Sequence, residues 1–373
     1  MAELKEIDVR PVSEEEFVSR VSRPRLGTGY PELDRALGGG FSPDLYVLGS
    51  ETSTGKSALL MSMAQHIAEA GTDVLYFALD MSRDEFFARG ISAISLEHWI
   101  KSKDAEGPVP KRYTAGDVLY WQWDPEAGDF RKIPYADYAP YADEYFRRYG
   151  GHLYIVENRL DCDTILASWT GWTARDICGA VQMWMQEKQK PVIVFVDYLQ
   201  EIRPDPKSPA QLEDRKTRVD VAVTALKSLS ARNNIPVVVA SSVSRAQYGR
   251  GVSSRSCKES GDVEYTAGVL LGWDWIGVTD EWDEKRQEDA RQRSKERGVR
   301  MMRFSVLKSR NNVAGDPVEV AYVPAYNSFF TESQWFGSPM AYKWAQEHPS
   351  PYMVIRGDFF DMWRGKPVNV IKF

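Results

Sequence analysis

Short, continuous apolar runs alternate along the chain with stretches whose apolar residues recur at helical spacing. The runs predict strands at 45–48, 74–79, 152–156, 192–196, 237–240, 269–271, 304–307 and 318–323. The helical stretches are 57–70, 83–96, 174–187 and 216–232, and Gly71 is a suitable residue to stop the first of them. Val192-Ile193-Val194-Phe195-Val196 is apolar at every position, the mark of a strand buried on both faces. Strands separated by helix-length segments predict an α/β fold, a mostly parallel sheet flanked by helices. No internal repeat and no low-complexity tract interrupts this alternation.

The flanks read differently. Residues 1–24 are polar and acidic, with a helix start at Ser13-Glu14-Glu15-Glu16, and are expected to form an N-terminal arm. The texture changes at Arg25, and a short amphipathic stretch at 33–37 is broken by Gly38-Gly39-Gly40. Residues 101–150 hold Pro108, Pro110, Pro125, Pro134 and Pro140 among many aromatics, and are read as a loop-rich insertion. Those aromatics are expected to bury in a small core of their own, an interaction surface being the alternative. The core then runs over 25–331, and the aromatic-rich residues 332–373 form a C-terminal extension.

Composition narrows the class. The chain has 373 residues, 43% apolar and 27% charged, which excludes a disordered protein. The length alone suggests two domains or one large one with extensions. No apolar run approaches the roughly 20 residues needed to cross a bilayer, and Met-Ala-Glu-Leu-Lys-Glu lacks the features of a secretory signal. Cys162, Cys178 and Cys257 are widely spaced, so a reducing, cytoplasmic setting without membrane attachment is expected. Four scattered histidines argue for no metal cluster. With 47 basic and 53 acidic residues the net charge is −6, mildly against general coating of nucleic acid but compatible with a local basic contact.

The strongest chemical signal is Gly49-Ser50-Glu51-Thr52-Ser53-Thr54-Gly55-Lys56-Ser57, between a predicted strand and a predicted helix. Successive backbone N–H groups and a helix N-terminus can surround an anion there. Gly55 permits close backbone approach. Lys56 can reach the β- and γ-phosphates of ATP, and the Ser57 hydroxyl can bind Mg²⁺. The strict pattern has glycine where this chain has Ser50, with Gly49 one residue earlier. A second acidic position, Asp197, ends the buried run at 192–196 and falls where open α/β sheets bind ligands. It can hold the hydration shell of Mg²⁺.

The neighbours of these residues carry a family resemblance. Asp197-Tyr198-Leu199-Gln200, the strand end Leu79-Asp80-Met81-Ser82, Lys258-Glu259-Ser260-Gly261 and Lys308-Ser309-Arg310-Asn311 occur in one order. Together with the phosphate loop they resemble the C-terminal ATPase domain of DnaB-type replicative helicases, of the RecA-like superfamily, over roughly 25–330. The resemblance implies that Lys56 and Ser57 meet phosphates and Mg²⁺ and that Asp197 is the Mg²⁺-side acid. It implies that Asp80, where the family usually has a glutamate, activates water. It further implies that Lys308 and Arg310 complete a neighbouring subunit's ATP site, which needs a ring or filament, in this family a hexameric ring. Two further departures are Ser242, where the family commonly has a glutamine, and the roughly 24 residues before the core in place of a collar domain.

The stretch 245–258 contains Arg245, Arg250, Arg255 and Lys258 and no acid, against a negative whole. Repeated around a ring, it would track a single-stranded DNA backbone. Residues 203–218, with charges of both signs, are read as a second channel loop. The leading expectation is therefore an ATP-hydrolysing DNA helicase or translocase, with a replication or loader protein as a further partner. The alternative is a non-unwinding RecA-, RadA- or KaiC-like ATPase that switches assembly or regulation.

Overall fold

The structure is a computed structural model that describes residues 13–22, 24–102, 110–158, 171–243, 251–253, 261–276, 289, 292, 298–310, 315–331, 333–334, 353–354 and 370–371. In chain order its elements begin with α1 (Glu14–Val21), α2 (Pro31–Ala36), β1 (Leu45–Ser50), α3 (Lys56–Glu69), β2 (Val74–Ala78) and α4 (Arg83–Ser102). There follow α5 (Ala115–Leu119), β3 (Gln122–Asp124), β4 (Asp129–Arg131), α6 (Tyr135–Tyr149), β5 (Leu153–Glu157), α7 (Ala174–Lys188) and β6 (Ile193–Asp197). The remainder comprises α8 (Pro209–Glu213), α9 (Arg215–Asn233), β7 (Val237–Ser242), α10 (Gly261–Thr266), β8 (Val269–Trp275), β9 (Arg300–Ser309), β10 (Val318–Val323) and β11 (Ser328–Thr331), then the short pair β12 (Met353–Val354) and β13 (Val370–Ile371).

Nine strands form one sheet in the order β11-β10-β9-β8-β1-β7-β6-β2-β5. The six from β8 to β5 are parallel, and β9, β10 and β11 extend the sheet antiparallel. Every residue of β1, β2 and β6 is buried. Because side chains alternate, each strand feeds two cores. Tyr46, Leu48, Phe195 and Val238 pack on the face covered by α2 and α3. Leu45, Val47, Val194 and Val237 pack on the face covered by α7 and α9. Helices α7 and α9 start on side-chain caps: Thr173 and Asp176 form a capping box at α7, and Asp214 accepts the Lys216 and Thr217 N–H groups at α9. Parallel strands sandwiched in this way bring all their carboxyl ends to one edge, where ligands of open α/β sheets bind. Among the described residues no helix is long and apolar enough to cross a membrane.

The stretch 101–150 is more ordered than its prolines suggest. It contains α5, the hairpin β3–β4 and a 15-residue helix, α6, with Pro140 inside it. Tyr138, Tyr141, Ala142, Tyr145 and Tyr149 recur at helical spacing and are buried with Tyr113, Ile91 and Ile94. Pro140 removes only one donor, and this aromatic stripe outweighs the loss. The small core expected there therefore exists, but it is built from tyrosines. Tyr120, Trp121, Trp123, Phe130 and Tyr135 are exposed on and beside the hairpin.

α6 is clamped to the rest of the chain at its end. The Arg148 guanidinium donates to both Glu69 oxygens, at 2.8 and 3.1 Å, and to Glu97 at 2.7 Å. Gly90 makes the close packing feasible, since a Cβ there would lie 2.1 Å from the Tyr145 ring. Replacing Arg148 with alanine removes the group that ties Glu69 to Glu97 and Glu144, although Glu97 keeps Lys101 and Glu144 keeps Arg147 and His98. With Glu69 partly in solvent, the expected cost is about 1–2 kcal/mol. Urea denaturation followed by circular dichroism measures it, and an unchanged midpoint refutes the clamp.

Candidate active site

The phosphate loop occupies the carboxyl edge of β1. Ser50, the departure from glycine, is the last residue of β1 and fully buried, in register with Ser242 of β7 and Trp273 of β8. Its hydroxyl bonds the Thr54 hydroxyl, and Thr54 also donates to the Glu51 carbonyl at 2.9 Å. A serine is therefore accommodated as a strand residue that ties the loop to itself. The turn follows, with Ser53 at φ 61° and Gly55 at φ 90°. Gly55 is needed twice over: its φ is left-handed, and a Cβ would meet the Tyr322 ring at 2.4 Å.

The antiparallel extension braces this loop from the side. Trp273 donates its indole N–H to the Thr54 carbonyl at 3.0 Å. Arg300, from β9, donates to the Ser53 carbonyl at 2.7 Å and stacks over the Trp275 ring at 5.1 Å. Tyr322, from β10, is stacked on Phe329. Sequence reasoning marks none of these five, Trp273, Arg300, Trp275, Tyr322 and Phe329. Trp273 and Thr54 lie 219 positions apart, and no local spacing announces that contact.

Behind the loop, α3 begins at Lys56. The Lys56 ammonium is buried and donates to the Ser50 carbonyl at 3.5 Å and the Glu51 carbonyl at 3.4 Å. The Ser57 hydroxyl donates to one Asp197 oxygen at 3.1 Å, and the Tyr76 hydroxyl donates to the other at 3.1 Å. Asp197 is only 2% exposed. Burial pushes its carboxyl above the usual range, opposed by the two hydroxyls and by Lys56. Tyr76 is the clearest residue the sequence reading missed. It reads as an ordinary strand tyrosine, and burial together with the Asp197 charge holds its hydroxyl well above the usual value.

Asp80 lies two residues past β2 and is exposed. Its carboxyl is raised by desolvation, then by the Glu201 and Glu85 charges, against Arg89 and Lys56. The structure thus gathers Lys56, Ser57, Asp80 and Asp197 on one edge. Gln200 joins them from behind, donating to the Ser241 hydroxyl at 3.0 Å and accepting the Ser242 N–H at 3.2 Å.

A hydroxyl and a carboxylate in contact, beside a buried ammonium and a left-handed backbone turn, form a hard-oxygen and anion-binding set. They fit Mg²⁺ and a phosphate chain. Among the described residues no group of three or more His, Cys, Asp or Glu is placed to hold a metal ion by itself.

Lys308 and Arg310 are elsewhere. Lys308 is in register with Leu270 and Ser309 with Val269, whereas the level of the phosphate loop on β8 is Trp273. Arg310 follows, its N–H on the Gly268 carbonyl, so the two cations are about 10–16 Å away along the strands, at the amino edge. Lys308 donates to the Glu264 and Ala267 carbonyls and Arg310 to the Tyr265 carbonyl, all near the end of α10. Burial, and then Arg310, lowers the Lys308 ammonium. Arg245, Arg250, Arg255 and Lys258 lie outside the described residues; of that stretch only 251–253 is described. In the expected second channel loop, 203–218, α8 leads into the Asp214 cap of α9, and the Arg203 N–H bonds the Trp172 carbonyl at 2.9 Å.

Comparison with known proteins gives a family match. The model of the DnaB-like helicase C-terminal domain matches residues 26–106 and 156–331, breaking across the insertion. The replicative DNA helicase DnaB of Treponema pallidum is 30% identical over 252 residues, 66% of this chain and 47% of that protein. DnaB of Geobacillus stearothermophilus is 26% identical over 309 residues, 82% of this chain and 56% of that protein. The chain spans about half the length of these curated relatives. Among solved structures, the ATPase domain of G40P superposes with a TM-score of 0.60 at 17% identity, covering 86% of this chain and 99% of that one. This likeness confirms the expected RecA-like fold.

Two variants probe the loop. Trp273→Phe removes one neutral hydrogen bond worth about 1 kcal/mol, so affinity for a fluorescent ATP analogue should fall about fivefold with the fold intact. Gly55→Ala should abolish that binding. Unchanged titrations for both would refute the bracing.

Proposed function

Because the chain belongs to the DnaB-like helicase C-terminal domain family, we propose that it is an ATP-driven motor that hydrolyses ATP between subunits of a ring, a hexamer, and moves on single-stranded DNA. The carrying observation is the division of the chemistry across the sheet. Phosphate-loop, cation-binding and water-activating groups share the carboxyl edge, while Lys308 and Arg310 stand at the amino edge. A chain built in this way supplies most of one site and the cations of another.

In this reading Lys56 neutralises charge on the transferred phosphoryl group, and Asp80 orients and deprotonates the attacking water. Asp80 is one methylene shorter than the glutamate of the resembled family, but burial and the Glu201 and Glu85 charges raise its carboxyl, which makes it a stronger base. Ser57 and Asp197 would hold Mg²⁺, which when bound neutralises phosphate oxygens. Asp197, fixed through both oxygens, keeps its orientation without rearranging. Lys308 and Arg310 of a neighbour would stabilise the transition-state charge. The basic stretch 245–258 would contact the DNA backbone. Residues 1–24 would act as an arm between subunits, 25–331 as the ATPase core and 332–373 as an extension. The non-unwinding alternative is not favoured by the family match.

The test compares wild type, Lys56→Ala and Arg310→Ala for ATP turnover with and without single-stranded DNA, and for strand displacement on a forked duplex. Wild type should be stimulated by DNA and should unwind, and Lys56→Ala should be inactive. Arg310→Ala should lose about 10³-fold or more in turnover while still binding nucleotide. Mixing Lys56→Ala with Arg310→Ala should recover activity, because each chain repairs a site the other lacks. Stimulated turnover without displacement would instead support the non-unwinding alternative.

A further inference from the structure

Two neighbouring residues of β8 hold two different loops. Trp273, fully buried, donates to the Thr54 carbonyl of the phosphate loop. Asp274, on the opposite face of the strand, accepts the Val252 backbone N–H at 2.6 Å. Val252 is itself only 8% exposed, unusual for the middle of a Gly- and Ser-rich connection. It belongs to the segment between β7 and α10, where Arg250 and Arg255 flank 251–253 in sequence. The charged groups acting on Asp274 are Arg303, its cross-strand partner in β9, and Glu51 of the phosphate loop.

A second observation makes this link matter. Ser242 stands where the resembled family commonly has a glutamine near the γ-phosphate. A serine cannot span that distance, and the Ser242 N–H is already taken by Gln200. β7 therefore lacks a long polar side chain at its end to carry a signal between nucleotide and loop. β8 offers one continuous covalent route.

We propose that Asp274 is a positioning residue that fixes Val252 to the strand bracing the phosphate loop, so that contact with single-stranded DNA and the state of the nucleotide act on each other through β8. The proposal rests on the reading of 245–258 as the nucleic-acid contact. Asp274 touches neither phosphate nor the reacting atoms, so basal turnover should not depend on it. Burial raises its carboxyl to about 6, so it is charged at neutral pH and the bond to Val252 is charge-assisted there. Below that pH the carboxyl is protonated and the bond weakens.

The experiment uses the full chain, Asp274→Ala and Asp274→Asn, with a thymidine oligonucleotide and a non-hydrolysable ATP analogue. Asp274→Ala should keep basal turnover within about twofold and lose about tenfold in the oligonucleotide-stimulated part, the size of one charge-assisted bond. Asp274→Asn keeps only a neutral acceptor oxygen and should restore part of the stimulation, to the level wild type reaches once its carboxyl is protonated. Stimulation of wild type should fall as pH falls through about 6, and that of Asp274→Asn should not. Amide exchange at Val252 should slow on adding the analogue to wild type and stay fast in Asp274→Ala. Undiminished stimulation in Asp274→Ala, or equal loss of basal and stimulated turnover, overturns the proposal. If wild type is not stimulated at all, the functional reading fails. Val252 exchange then still decides the link: analogue-dependent protection erased by Asp274→Ala supports it, and its absence overturns it.

Discussion

A single carboxylate, Asp197, is buried at the end of a fully buried strand with a hydroxyl on each oxygen and an ammonium nearby. An isolated charge in such a place would neutralise itself. Ser57 and Tyr76 make the charged form tolerable, and in doing so they fix the spacing of three elements. Ser57 opens α3, Tyr76 is in the middle of β2, and Asp197 ends β6. The phosphate loop, the strand before Asp80 and the sheet floor are thereby referenced to one point. The Leu79 N–H adds a backbone tie to the Asp197 carbonyl at 2.8 Å.

Much of this was legible in the residues. The apolar runs at 45–48, 192–196 and 237–240 fall inside β1, β6 and β7 or within a residue of them, because parallel strands buried on both faces admit little else. The phosphate loop and Asp197 could be read because their chemistry is local and has fixed spacing. What escaped was long-range. Tyr76, Gln200, Trp273 and Arg300 take their roles from partners more than forty positions away. α6 escaped for a different reason. Pro140 reads as a breaker, yet the tyrosine stripe from Tyr138 to Tyr149 supplies enough burial to keep the helix.

The antiparallel strands β9, β10 and β11 show why the sheet is larger than the nucleotide-binding half requires. Their ends deliver Arg300 and the Tyr322 ring against the outer side of the phosphate loop. Ser53, a non-glycine residue with left-handed φ, puts conformational strain into the loop. Packing it between α3 on one side and an aromatic–guanidinium stack on the other holds that geometry before any phosphate arrives.

The clamp of α6 on α3 has a mechanical meaning. α3 is a rigid rod of 14 residues, about 21 Å long, with Lys56 and Ser57 at one end and Glu69 at the other. Arg148 grips that far end through bonds of 2.8 and 3.1 Å. A tilt of the rod by about 5° about its phosphate end displaces Glu69 by about 2 Å, more than such bonds survive. The insertion, with its exposed aromatic hairpin, is therefore geared to the seat of the phosphate: whatever steadies or levers the hairpin's supporting helix loads the same rod that carries Lys56.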